Sequence, residues 1–292
     1  MKNMSLLNSV LRRVGGGAAV ALLAAGTLAV VAPAQAGIAD TKHNLGSSGT
    51  GVNKLNVIAG STEICVFCHT PHGADTNATV PLWNKKLTPG AAYLTYNSLG
   101  TSSLDGNVLG VGSVSLACLS CHDGTQALNV MINAPGSDGY VSGGAEFGTM
   151  SGANQVGNKL KSTVVTNLDL DLKNDHPVGI QYGGGPKLAG SIGAAGTDYT
   201  AFRDADFKVA KSGLANSMTV WWVDTDVGTA GTREKTDMQL YTRKGGLLSG
   251  AAGTVDQPYV ECASCHDPHS ENTTFLRILN TSSAVCLACH DK

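Results

Sequence analysis

The stretch Cys65-Val66-Phe67-Cys68-His69-Thr70-Pro71-His72 sets two thiols three residues apart, an imidazole directly after the second thiol, and another imidazole three residues further on. Thiols and imidazoles so closely spaced point to a disulfide framework, a metal site or a covalently held cofactor.

The rest of the chain separates these. All eight cysteines fall in four copies of one pattern: Cys65/Cys68 with His69, Cys118/Cys121 with His122, Cys262/Cys265 with His266, and Cys286/Cys289 with His290. Disulfide pairing or zinc ligation explains the cysteines but not the histidine after every second one. C-x-x-C-H is the attachment signature of c-type haem. Two thiols add to the two vinyl groups on one porphyrin edge, and the adjacent histidine is carried beneath the ring as the proximal iron ligand. The expected cofactors are therefore four covalent haem c groups.

His72 is too close to His69 to reach the opposite face of the same ring, since three residues span at most about 10 Å. It is expected to ligate a different haem. The pattern recurs as Cys262-Ala263-Ser264-Cys265-His266-Asp267-Pro268-His269, and each copy is followed by a plainer C-x-x-C-H-D and preceded by one more histidine, His43 or His176. The chain thus reads as two di-haem modules, each with four histidines for two irons. Four proximal histidines leave His43, His72, His176 and His269 as the distal set. In a self-contained module His72 serves the haem of Cys118/Cys121, His269 that of Cys286/Cys289, and His43 and His176 those of Cys65/Cys68 and Cys262/Cys265. Pro177 holds His176 extended. Met131, Met150, Met218 and Met238 bear no spacing relation to the motifs and are assigned to core packing.

His43 sits beside a Gly/Ser-rich arm, residues 45–51, which is expected to be mobile until anchored. Two placements follow: His43 folds back onto the first haem of its own chain, or it completes a haem in the next subunit and makes polymerisation and ligation one event.

Composition sets the remaining bounds. With 42% hydrophobic and 14% charged residues the 292-residue chain is globular rather than disordered. Aromatics are only 5% against 37 glycines, so side chains alone make a thin core and stacked haems are expected to complete it. At the N-terminus, Lys2, Arg12 and Arg13 precede the apolar run Ala18 to Ala32 and the small-residue site Ala34-Gln35-Ala36. That pattern reads as a cleaved export signal, with an uncleaved anchor as the alternative. Removing its three positive charges takes the net charge from -2 to -2 - 3 = -5, which argues against nucleic acid as a partner. No other segment is apolar and long enough to span a membrane.

The expected organisation is a signal peptide at 1–36, a first di-haem module with its arm at 37–124, a glycine-rich insert at 125–261 supplying one distal histidine, and a second di-haem module at 262–292. The fold class is a multihaem c-type cytochrome, mostly irregular loops with a few short helices, at 116–121 and 282–289, and a small antiparallel β-hairpin from residues 217–224 and 236–242. Gly183 to Gly185 read as a turn and Asp169-Leu170-Asp171 as a solvated strand rather than a calcium site.

The phrases CVFCHTPH (65–72), CLSCHDGT (118–125), DHPVG (175–179), VECASCHDPH (260–269) and CLACHDK (286–292) resemble the paired C-x-x-C-H multihaem cytochromes, most closely the tetrahaem outer-surface type that polymerises into nanowires. The resemblance covers the motif segments and not the glycine-rich middle. It implies bis-histidine haems stacked in a continuous chain, self-association into filaments, and export to the cell outer surface or beyond; the periplasm is the alternative. Partners would be redox proteins and extracellular electron acceptors. An iron with two histidines has no open position for substrate, so electron transfer is expected rather than enzymatic chemistry. The alternatives are a multihaem reductase with one open haem and a monomeric periplasmic shuttle.

Overall fold

A computed structural model describes residues 37–56, 61–136, 139–175, 177–188, 192, 195–244 and 256–291. The expected signal segment 1–36 and His176 lie outside the described residues. Residues 37–292 pack as one compact unit.

Regular structure is sparse, as expected for a chain this rich in glycine. Among the described residues α-helix is confined to α1 (Ser113–His122), α2 (Cys262–Cys265) and α3 (Ala284–Leu287), with short 3-10 turns elsewhere. Strands β1 (Lys54–Leu55) and β4 (Met150–Ser151) form one small sheet, β2 (Val130–Asn133) and β3 (Tyr140–Glu146) a second, and β5 (Gln155–Val156) and β6 (Lys159–Leu160) a third.

The expected hairpin is present but belongs to something larger. β9 (Met218–Val223) pairs antiparallel with β10 (Met238–Lys244), with Val223 opposite Met238 and Trp221 opposite Leu240. β8 (Lys211–Ala215), β11 (Asp256–Val260) and β7 (Ile180–Gln181) extend it to a five-stranded sheet of order β7-β11-β10-β9-β8. A small hairpin was too modest an expectation, because β11 carries Pro258 and β8 carries Gly213. Both residues weaken a strand signal.

Among the described residues side chains form three small cores rather than one, and motif cysteines edge all three. Cys68 and Cys121 pack against the core of Leu55, Phe67 and Met131. Cys68 and Cys262 border that of Trp83, Leu116 and Leu119, and Cys265 and Cys289 that of Tyr182, Tyr199 and Trp221. Met131, Met150 and Met238 are buried as expected. Met218 is not: it opens β9 at the exposed end of the strand and is 67% exposed.

Gly183 to Gly185 do form a turn, with φ of 59°, 74° and 81°. A Cβ on Gly183 would lie 2.7 Å from the Phe202 ring, so a left-handed backbone and a crowded approach both demand glycine. Asp169-Leu170-Asp171 is not a plain strand: Asp169 has φ 59°, and Asp171 accepts the Lys173 N–H at the start of a 3-10 turn. No helix among the described residues is long and apolar enough to cross a membrane.

Candidate cofactor-binding site

Each motif is wound into a turn that brings its histidine back over the first cysteine. The N–H groups of His69, His266 and His290 donate to the carbonyls of Cys65, Cys262 and Cys286 at 2.8, 3.2 and 3.0 Å, and Cys118, Cys121 and His122 end helix α1. Two thiols three residues apart then project from one turn, which is what two adjacent porphyrin vinyl groups require.

A returning segment clamps three of these turns by the same rule. The Asn84 N–H donates to the Cys68 carbonyl and the Thr70 N–H to the Leu82 carbonyl, with His69 bridged to Trp83. Arg277 to Cys265, Asp267 to Phe275, and the His266–Leu276 bridge repeat this. Lys208 to Cys289, Asp291 to Asp206, and the Phe207–His290 bridge repeat it once more. Leu82 and Phe275, at equivalent positions, both adopt left-handed φ, 57° and 60°. The repeat in sequence is thus a repeat in structure.

Backbone carbonyls orient three of the imidazoles. Nδ1–H of His69 donates to the Pro81 carbonyl at 2.8 Å, that of His122 to Thr166 at 2.7 Å, and that of His266 to Thr274 at 2.8 Å. With Nδ1 of His69 and of His122 tied to backbone, Nε2 is the nitrogen left for iron, the usual tautomer control of a ligating histidine.

Two distal histidines lie opposite proximal ones. The rings of His69 and His269 face each other at 6.4 Å between centroids and 12° between planes. Those of His43 and His122 are 6.1 Å apart and crossed at 72°. Two imidazoles on one iron need about 6 Å between ring centres, from two bonds of about 2 Å and the distance of each donor nitrogen from its own ring centre. Both separations match the spacing that two imidazoles sharing one iron would have.

These pairs differ from the expected assignment. His269 faces the first motif rather than the fourth, and His43 faces the second motif of its own chain rather than the first. The reason lies in the packing: Phe275 stacks on the His43 ring at 4.1 Å and the Pro268 carbonyl lies 3.5 Å from its Nδ1. Phe275 and Pro268 both belong to the third-motif loop, so that loop anchors the arm. Burial first, then the His122 ring, lowers the His43 pKa from 6.5 to about 4, so the imidazole is neutral and available as a ligand. His269 is held differently, its Nδ1 3.3 Å from Asp267 Oδ1; this partner raises the His269 pKa and lowers that of Asp267 to about 2.

His72 faces no other motif histidine among the described residues. Its side chain is exposed, while its carbonyl accepts from Thr70 Oγ1 and Asn133 Nδ2 at 3.1 and 2.5 Å.

The cysteines are unpaired thiols, and neighbouring motifs meet through them. Cys118 and Cys262 contact each other, raising the thiol pKa of the first and lowering that of the second. Burial, with Cys121 adding, raises Cys68 to about 12, and burial, with Cys265 adding, raises Cys289 to about 12.

Beside the fourth motif a cavity of about 700 Å³ is lined by Ala284, Leu287, Ala288 and Ile278, with Lys208 and Arg277 also on its wall. Apolar walls with two cations suit a flat apolar ring bearing carboxylates. Phe275, Lys208 and Arg277 carry no sequence signal of this role. They are marked only by where the clamps bring them.

Residues 256–292 match the doubled CXXCH motif family. No curated protein matches the chain. The matched segment contains the third and fourth motifs, and its doubled motif indicates covalent haem c binding, a feature of multihaem c-type cytochromes and typical of electron-transfer proteins.

Proposed function

We propose that this chain carries four covalent haem c groups, each held by two histidines, and serves as an electron-transfer subunit of an extracellular cytochrome filament. The observation that carries the reading is the placement of His269 opposite His69 and of His43 opposite His122. When bound, haem supplies the one-electron chemistry of its iron. The chain's own residues do the rest: eight cysteines anchor the groups, Nδ1 contacts set the imidazole orientation, and paired histidines leave no open position for a substrate. The hydrogen bond between Cys118 and Cys262 and the mutual electrostatic influence of Cys68 with Cys121 and of Cys265 with Cys289 support an order of the four attachment points in one row, where haems would complete the interior between the small cores.

The remaining distal ligands are His176 and His72. Val178 packs in the core bordered by Cys262, which favours His176 for the third haem. His72 sits beside the first motif, whereas the fourth stands against Tyr182 and Phe207, so His72 serves the fourth haem of a neighbouring copy. That head-to-tail relation generates an open filament. It moves the intersubunit role from His43 to His72. Export by the 1–36 segment, an outer-surface location, and redox proteins and extracellular acceptors as partners belong to the same reading.

Negative-stain microscopy with intact mass tests it. Wild-type protein is expected to form filaments and to carry four haems. His72→Ala is expected to yield monomers with one haem that binds carbon monoxide when reduced. Wild-type monomers with every iron six-coordinate would defeat the filament, and carbon monoxide binding by assembled wild-type protein would favour a reductase.

A further inference from the structure

The second and third motifs are joined by a buried polar lock. Ser115 Oγ donates to Glu261 Oε2 at 2.5 Å and accepts the Cys262 N–H at 3.0 Å. Arg243 Nη1 donates to Glu261 Oε1 at 2.6 Å and Nη2 to the Gly110 carbonyl at 3.0 Å. The Glu261 N–H donates to Ser264 Oγ at 3.0 Å in a reciprocal capping box at the start of α2. Ser115 is fully buried and Glu261 1% exposed. Space for the guanidinium comes from Gly112, where a Cβ would lie 2.8 Å from Arg243 Nη2. Ser115 lies on α1 three residues before Cys118, and Glu261 directly precedes Cys262, so the lock sits where those two cysteines meet.

A buried carboxylate is strongly unfavourable unless paired. Burial raises the Glu261 pKa, opposed by Ser115 and Arg243. A chain needing only to join two helices would use apolar side chains of similar volume, which are often as stable or more so. The charges therefore invite an electrostatic role. Cys118, Cys262 and the Tyr259 hydroxyl are the other ionisable groups near the carboxylate.

We infer that Glu261 and Arg243 are charge-balancing positioning residues for the middle of the row: they tie α1 to α2 and together set the reduction potentials of the second and third haems. The inference rests on the reading of those motifs as haem attachment sites. Reduction removes one positive charge from an iron centre, so an uncompensated nearby cation favours the reduced form and an uncompensated anion the oxidised form. In low dielectric neither is well screened.

The test is a potentiometric titration of the haem-loaded full-length protein followed in the visible band, with haem content determined on the same samples. Glu261→Gln keeps the shape and is expected to shift two of the four midpoints upward. Arg243→Leu is expected to shift the same two downward, and the double variant to return them toward wild type. Arg243→Lys keeps the charge and is expected to stay near wild type, which preserves the test should the leucine variant fail to fold. Haem-loaded variants with unmoved midpoints, single variants shifting in the same direction, or a lysine variant displaced as far as the leucine one would overturn the inference alone. Wild-type protein without covalent haem would overturn the parent reading as well.

Discussion

His269 of the third-motif loop faces His69 of the first motif, ring to ring at 6.4 Å and within 12° of parallel. The third-motif loop thus reaches back to the first motif. Replacing His269 by Ala is expected to leave the haem count unchanged and to open one iron, that of Cys65/Cys68. Carbon monoxide difference spectra should then show one reactive haem. Combining the substitution with Cys68→Ala should abolish that signal, whereas survival of the signal would place His269 elsewhere.

The two observed pairs differ in twist, 12° for His69/His269 and 72° for His43/His122. Near-parallel imidazole planes split the iron orbitals that accept ligand π density, and crossed planes leave them nearly degenerate. Electron paramagnetic resonance of the oxidised protein is expected to show both a rhombic low-spin species and a highly anisotropic one. The anisotropic signal should vanish in His43→Ala.

The buried His43 makes an acid limb expected. Its pKa falls from 6.5 to about 4 in the folded chain, so between those values the unfolded chain binds a proton that the folded one refuses. Stability from this group is therefore intact above pH 6.5, declines as pH falls toward 4, and levels off below. Urea midpoints of the haem-free chain, where no iron holds the imidazole, should decline with acid across that window in wild type and less steeply in His43→Ala. Equal slopes would show that burial of His43 does not govern the limb.

Gly183 combines φ 59° with the Phe202 ring 2.7 Å from any added Cβ. Gly183→Ala is expected to destabilise the chain by about 1–3 kcal/mol, since left-handed strain and crowding act together. Chemical denaturation at neutral pH measures it, with Gly100→Ala as the uncrowded control. Gly100 shares a left-handed φ of 61° but has nothing near its Cβ.

Attachment chemistry is a local matter. Replacing Cys121 by Ala removes one thioether edge and is expected to lower the covalent haem count by about one, read as intact mass after denaturation.

What could be read along the chain and what could not divide by sequence distance. Cys-x-x-Cys-His turns, the β9–β10 pairing and the glycine turn at 183–185 all follow from neighbouring residues, whose spacing and backbone preferences already dictate local geometry. Strands β8 and β11 escaped because Gly213 and Pro258 blunt the signal and only pairing to β9 and β10 holds them extended. Phe275 under His43, and Arg243 with Glu261 between two cysteines, have no local pattern at all. Histidine spacing alone was enough to name His43 and His269 as ligand candidates, because residue chemistry travels with the sequence. Which ring each one faces was decided by the third-motif loop folding against the first and second motifs: ligand pairing across long loops depends on which cores close together, and neither spacing nor composition encodes that closure.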